Sequence, residues 1–127
     1  MKKRVLVAED HPGIRPHVIK TVRAAGFECI GATNGKEAFE IFKSQAFDLI
    51  IMDGSMPVMD GFQATEKIRA HERGKGRTPI ILHSALTGSE VLQRCEACGI
   101  DEFVPKSTMK YLMVAVKRYL RPKPRNS

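Results

Sequence analysis

Short apolar runs and amphipathic stretches alternate along the whole chain. Val5 to Glu9, Phe27 to Ala32, Phe47 to Asp53, Pro79 to Ser84 and Phe103 to Lys106 read as five strands. FDLIIM and PIIL carry no polar alternation, the mark of strands covered on both faces. Between the runs, Ile14, Val18, Val22 and Ala25 recur at helical spacing and stop at Gly26, while Ala38, Ile41, Phe42 and Gln45 follow Asn34, a candidate N-cap. Phe62, Thr65 and Ile68 predict a third helix. Thr87-x-x-Glu90 reads as a capping box ahead of Val91, Leu92 and Cys95, with Gly99 closing that helix, and Ser107 is expected to cap a fifth carrying Met109, Leu112, Val116 and Leu120. Five strand–helix alternations predict an α/β fold, a doubly wound five-stranded parallel sheet flanked by five helices with right-handed crossovers. Ligands in such sheets bind at the carboxyl ends of the strands.

Polar residues gather at those ends. The predicted strand one finishes in Glu9-Asp10, strand three in Asp53, strand four in Ser84 and strand five in Lys106. The strands beneath are apolar, so these positions converge on one sheet edge and form a candidate site. Crowded carboxylates repel and raise at least one pKa unless a cation joins them. Oxygen ligands suit a hard divalent ion, and a site that keeps several waters suits magnesium better than calcium. Lys106 offers a mobile positive charge and Ser84 a hydroxyl donor, the partners a phosphoryl group needs. A carboxylate can also attack phosphorus to give an acyl phosphate, and Asp53, central on the middle strand, is the candidate nucleophile.

Length and composition narrow the setting. A chain of 127 residues with 43% hydrophobic residues closes one core, expected over residues 1–120 with a basic tail at 121–127. Charged residues at 28% and aromatics at 6% exclude a disordered or fibrous class. The longest apolar runs are five to six residues, against the roughly 20 that cross a bilayer, and MKKRVLVAED turns acidic before a signal-peptide core forms. A cytoplasmic protein with no membrane span is expected. Cys29, Cys95 and Cys98 are too few and odd in number for a disulfide framework. Cys95-x-x-Cys98 falls near the end of a predicted helix rather than at its start, where a redox pair gains from the dipole, and it lacks a second pair for zinc. It reads as packing.

Glu9-Asp10, Met52-Asp53, the stretch Met56-Pro57-Val58-Met59-Asp60-Gly61, Ser84-Ala85 and Lys106, in this order, resemble the receiver domain of bacterial two-component response regulators over residues 4 to about 120. The resemblance implies a CheY-like, flavodoxin-like sheet of order 2-1-3-4-5. It implies that Asp53 accepts a phosphoryl group from the phosphohistidine of a sensor histidine kinase or a histidine phosphotransfer protein. Mg2+ would be held by Asp10, Asp53 and the backbone carbonyl of Ser55, with Glu9 helping, while Ser84 and Lys106 bind the phosphoryl oxygens. Ser84 and Phe103 would then switch the face of helix four, strand five and helix five for an effector not named by the sequence. Asp60 is expected to cap helix three. Lys106-Ser107 stands where many receivers have Lys-Pro, and Pro105 inside a strand requires a sheet edge. Phe103 carries no hydroxyl, so a signal passed by that ring is steric. His83, beside the switch hydroxyl, is expected to face away from it and to pack.

Lys+Arg number 21 against 14 Asp+Glu, a net charge of +7. Lys2, Lys3 and Arg4, then Arg73, Lys75 and Arg77, then Lys117, Arg118, Arg121, Lys123 and Arg125 are expected at the pole opposite the site. There they complement helix C-termini or, alternatively, dock an acidic partner, nucleic acid or an anionic membrane; no aromatic interleaving indicates nucleic acid directly. Two other readings of the site are a magnesium-dependent phosphohydrolase with an aspartyl-phosphate intermediate and a basic interaction domain with a vestigial site. Asp10-His11-Pro12 lacks the Asp-x-Asp of such hydrolases, and no insertion is long enough for a cap. Seven residues after Leu120 cannot fold alone, so a single-domain regulator or a receiver from a longer regulator or hybrid kinase is expected, monomeric or dimerising on phosphorylation.

Overall fold

A computed structural model describes residues 2–121; the expected tail from 122 onward lies outside the described residues. The elements run β1 (Arg4–Ala8), α1 (Ile14–Ala24), β2 (Glu28–Ala32), α2 (Gly35–Ser44), β3 (Leu49–Met52), α3 (Gly61–Glu72), β4 (Ile80–Ser84), α4 (Ser89–Cys98), β5 (Glu102–Pro105) and α5 (Met109–Leu120). All strands pair in parallel, in the order β2-β1-β3-β4-β5. β2, β3 and β4 are shorter than expected, and β1 and β5 begin and end one residue earlier, which leaves Glu9, Asp53 and Lys106 just beyond the last ladder positions of β1, β3 and β5. Pro105 is accommodated because β5 is an edge.

Strand alternation divides the core in two. Leu6, Ile50, Met52, Ile80 and Leu82 pack under α2, α3 and α4 with Ala38, Phe62, Ile68 and Val91. Val5, Val7, Leu49, Ile51, Ile81 and Val104 pack under α1 and α5 with Val18, Val22, Leu112 and Val116. The central β3 residues are all buried, each contributing about 1.5–3 kcal/mol of transfer free energy, so the strand that ends in Asp53 is a rigid post. Cys29, Cys95 and Cys98 are buried, and burial raises all three thiols, that of Cys29 to about 12, in keeping with packing rather than chemistry.

Local signals were met unevenly. Asn34 caps α2 through the Glu37 N–H at 2.8 Å, and Asp60 forms a full capping box with Gln63 on α3. Gly99 ends α4 in the left-handed region at φ 98°. The Thr87 capping box does not form: Gly88, at φ 104°, occupies the N-cap of α4 and no side chain caps it. Ser107 does not cap α5 either; Thr108 sits at that N-cap, and its side chain makes no capping bond. Leu92, expected in the buried stripe of α4, is 56% exposed.

The loop from β3 to α3 is held by close contacts. Gly61 N–H donates to the Gly54 carbonyl at 3.1 Å, and a Cβ on Gly61 would collide with the Asp53 carbonyl oxygen. Val58, in the same loop, has φ 69° and is 77% exposed. A β-branched residue in that region is strained and, at this exposure, gains little in return. Val58→Gly is therefore expected to raise stability by about 1 kcal/mol in urea denaturation despite the extra entropy of the unfolded chain; an unchanged or lower midpoint would contradict the strain.

Candidate functional site

Because β1 and β3 are neighbours, their ends bring Glu9, Asp10 and Asp53 together, with carboxylate oxygens of all three within 4.8 Å of one another. Glu9 is 3% and Asp53 6% exposed. The ladder continues into the site through Glu9 N–H to the Ala32 carbonyl at 3.0 Å and Asp53 N–H to the Ala8 carbonyl at 2.9 Å, which fixes both backbones. Arg15, the second residue of α1, donates to the Glu9 carbonyl at 2.9 Å and ties the β1–α1 loop down. His11 turns its ring back on its own loop and accepts from the Gly13 and Ile14 N–H groups through Nδ1, capping α1 in place of a residue at the N-cap itself.

Lys106 is the counter-charge. Its Nζ lies 2.5 Å from Glu9 Oε1 and 3.1 Å from Asp53 Oδ2. In the strand order β1-β3-β4-β5, a side chain from the end of β5 reaches Asp53 and Glu9 only by crossing the end of β4. The Lys106 N–H donates to the Ser84 carbonyl at 3.0 Å, which sets the starting point of that crossing. Burial raises the Glu9 carboxyl above its ordinary value, opposed by the Lys106 hydrogen bond and reinforced by the Asp53 charge. Burial alone would lower the Lys106 ammonium, but hydrogen bonds to Glu9 and Asp53 hold it above its ordinary value. The ammonium is thus locked onto two carboxylates.

The remaining expected residues fall as follows. Ser84 is fully buried; its Oγ accepts from the Leu86 N–H at 3.2 Å and lies against Gly54, in the loop that follows Asp53. The Ser55 N–H donates to Asp53 Oδ1 at 3.3 Å. Phe103 is half-buried and packs on the cluster under α2, α3 and α4, opposite Leu82 in the register. Asp53, Lys106, Glu9 and Asp10 therefore converge, Ser84 lies beside them at the end of β4 against Gly54, and Phe103 packs under α2, α3 and α4. The three carboxylates are hard oxygen donors clustered at one end of an apolar sheet, which fits a magnesium ion.

Comparison with known proteins decides the family. The response regulator receiver domain family matches residues 5–117. The chain belongs to the response regulator receiver family. Among relatives, it is 38% identical over 125 residues to the hybrid signal transduction histidine kinase F of Dictyostelium discoideum, covering 94% of this chain and 11% of that protein. It is 34% identical over 103 residues to the regulatory protein AtoC of Escherichia coli, covering 81% of this chain and 22% of that protein. The receiver thus spans less than a quarter of the length of these two relatives. Among solved structures, chemotaxis protein CheY4 of Vibrio cholerae is 32% identical with a TM-score of 0.87 over 94% of this chain and 100% of that one. Response regulator TrrA of Thermotoga maritima, solved in complex with Mg2+–BeF, is 34% identical with a TM-score of 0.82 over 93% and 99%. No helix among the described residues of this receiver is long and apolar enough to cross a membrane.

The positive charge is distributed by layer as much as by pole. Arg15, Lys20, Arg23, Lys110, Lys117 and Arg118 lie on α1 and α5, which contain no acidic residue; α2, α3 and α4 carry six acids against five cations. At the pole, several cations are internally engaged. Arg77 pairs with Asp101 at 2.8 Å, Arg118 with Glu102 at 2.6 Å and Arg4 with Glu28 at 3.4 Å.

His83 was legible only in part. It packs, as expected, at 5% exposure, but the register that places Met52 beside Leu82 puts it next to Asp53. Burial first, then the Lys106 charge, lowers it from 6.5 to about 4. The unfolded chain takes up a proton below 6.5 that the fold refuses, so this contribution is fully present above 6.5 and lost as pH falls toward 4. Between pH 7 and 4.5 the protein is expected to lose about 2 kcal/mol more stability than His83→Leu, measured by denaturant titration; parallel losses would show that the ring is not held neutral.

Proposed function

We propose that this receiver is a phosphorylation switch in which Asp53 takes a phosphoryl group from the phosphohistidine of a sensor histidine kinase or histidine phosphotransfer protein. The single observation that carries the reading is the convergence of Asp53, Glu9 and Asp10 with the Lys106 ammonium at one sheet edge, in a chain of this family. As an Asp53 oxygen bonds to phosphorus, the phosphorus–nitrogen bond breaks and the donor imidazole keeps the electron pair, taking up a proton as it leaves. Asp10, Asp53, Glu9 and the Ser55 carbonyl would hold Mg2+, which supplies charge neutralisation to the transferring group. That TrrA was solved with Mg2+–BeF supports this assignment. Lys106 passes from the carboxylates to the phosphoryl oxygens, and the Ser84 hydroxyl, now accepting from Leu86 N–H, turns to donate to them.

The output face is α4–β5–α5. Leu92, Tyr111 and Val114 are each more than half exposed on α4 and α5, an apolar set awaiting a partner, and Phe103 underlies it at β5. Withdrawal of Ser84 toward the phosphoryl group and a steric adjustment of the Phe103 ring would reshape that face.

Acetyl phosphate with magnesium, followed by intact mass, tests the phosphoacceptor. The protein is expected to gain one phosphoryl group, Asp53→Ala none, and chelation of magnesium is expected to abolish the gain. Hydrolysis of a phosphate ester running many turnovers per protein would instead favour a phosphohydrolase, and no mass gain a vestigial site. Magnesium at ten times its dissociation constant should raise unfolding free energy by about 1.4 kcal/mol, and Asp10→Ala should lose that response in thermal unfolding.

A further inference from the structure

Beside the carboxylates, and not part of them, lies a cleft of about 300 Å³ between the first turns of α1 and α5, lined by Ile14, His17, His83, Lys106, Ser107, Thr108 and Met109. Three features of it converge. The first is α5 itself: a helix of 12 residues whose N-cap side chain makes no bond and whose first turn carries no acid. The leading N–H groups of a helix have no partner inside it, and its N-terminus carries partial positive charge. The second is His83. It is 5% exposed and its ring makes no hydrogen bond among the described residues. Among the described residues no side-chain nitrogen or oxygen cut off from solvent lacks a partner, so the unbonded His83 nitrogens border open space, and His83 lines the cleft. The third is charge. Neither flanking helix carries an acid, and the nearby carboxylates of Glu9 and Asp53 are each bonded to the ammonium of Lys106, which forms one wall.

We infer that this cleft binds a small oxyanion, the carboxylate or tetrahedral oxyanion of a compact ligand. The His83 ring N–H and the first-turn N–H groups of α5 supply donors to its oxygens, and Lys106, bonded to Glu9 and Asp53, offsets the charge of those two carboxylates. Ile14 and Met109 offer a short apolar floor, which limits the body of the ligand to a few carbons. His83, expected from the sequence to pack, meets the other half of the cleft at a helix end, the first turn of α5.

The inference builds on the proposed switch only through Lys106, the ammonium that the anion and the phosphoryl group would both attract. The test therefore keeps the two apart. Amide and histidine-ring nitrogen shifts are followed by NMR during titration with sodium acetate, and separately with sodium sulfate, at ionic strength held constant with chloride. Saturable shifts confined to Ser107–Tyr111 and His83 are expected with at least one of the two, and which one responds tells carboxylate from tetrahedral oxyanion. His83→Leu should weaken the response at least tenfold while its spectrum remains folded. Met109→Pro, which removes one N–H at a helix position where proline fits, should weaken it about threefold. Asp53→Ala should bind at least as tightly, because a neighbouring negative charge is gone, and does so whether or not Asp53 accepts phosphate. Shifts no larger than those with chloride, an undiminished response in His83→Leu, or shifts centred on Asp53 and lost in Asp53→Ala would overturn the assignment.

Discussion

One ammonium shared between two buried carboxylates organises this molecule. Glu9 and Asp53 end adjacent strands and cannot separate without breaking the β1–β3 ladder. Their charges are held together by Lys106, which reaches Asp53 from two strands away and Glu9 from three. A compact point charge on a flexible stem suits that crossing, where a guanidinium's planar fork would have to be accommodated between strand ends. The arrangement is stable yet incomplete. Asp10, exposed beside the pair, adds a third carboxylate that a single ammonium does not neutralise, and a divalent cation finds its ligands already assembled.

Rigid support surrounds the site, and the movable parts are placed outside it. The central strand β3 beneath is wholly apolar and buried throughout, the Gly61 contact pins the returning loop against the Asp53 carbonyl, and the Asp60 box fixes the start of α3. At the far end, Arg69 bonds Glu72, Asp101 and the Thr78 and Gly99 carbonyls, joining α3, the start of β4 and the α4–β5 loop. The N-terminus of α4, by contrast, begins at an uncapped glycine, and the apolar residues exposed on α4 and α5 lie on that less secured side. Fewer side-chain bonds secure that end of α4, on the side where the proposed switch would act.

Much of this was legible in the sequence because it depends on neighbours along the chain. Buried parallel strands declare themselves as unbroken apolar runs, and Asn34, Asp60 and Gly99 act within one helical turn of themselves. The strand-end polar residues were readable for the same reason: an apolar run that stops in a carboxylate has few uses. Thr87 and Ser107 misled because a cap depends on which residue takes the N-cap conformation; Gly88 and Thr108 do so, leaving each candidate one place short. Leu92 misled because helical periodicity does not say how wide the covered stripe is. His83 depended on register and on what α1 and α5 bring across the sheet, neither of which is local. The cations were placed by pole alone, whereas their partners, Asp101, Glu102 and Glu28, and the acid-free layer of α1 and α5 emerge only once the elements are packed.

The shared ammonium and the crowded carboxylates meet most directly at Glu9, whose carboxyl is raised by burial, with the Asp53 charge adding to the rise. Carbon-13 NMR of the Glu9 carboxyl across pH, with and without magnesium, tests the central claim. The account predicts a titration above the ordinary glutamate value in metal-free protein, moving to lower pH on saturation with magnesium as the cation quenches the crowding. A Glu9 titration at the same pH in both conditions, with no other sign of ion binding at Asp10 and Asp53, would contradict it.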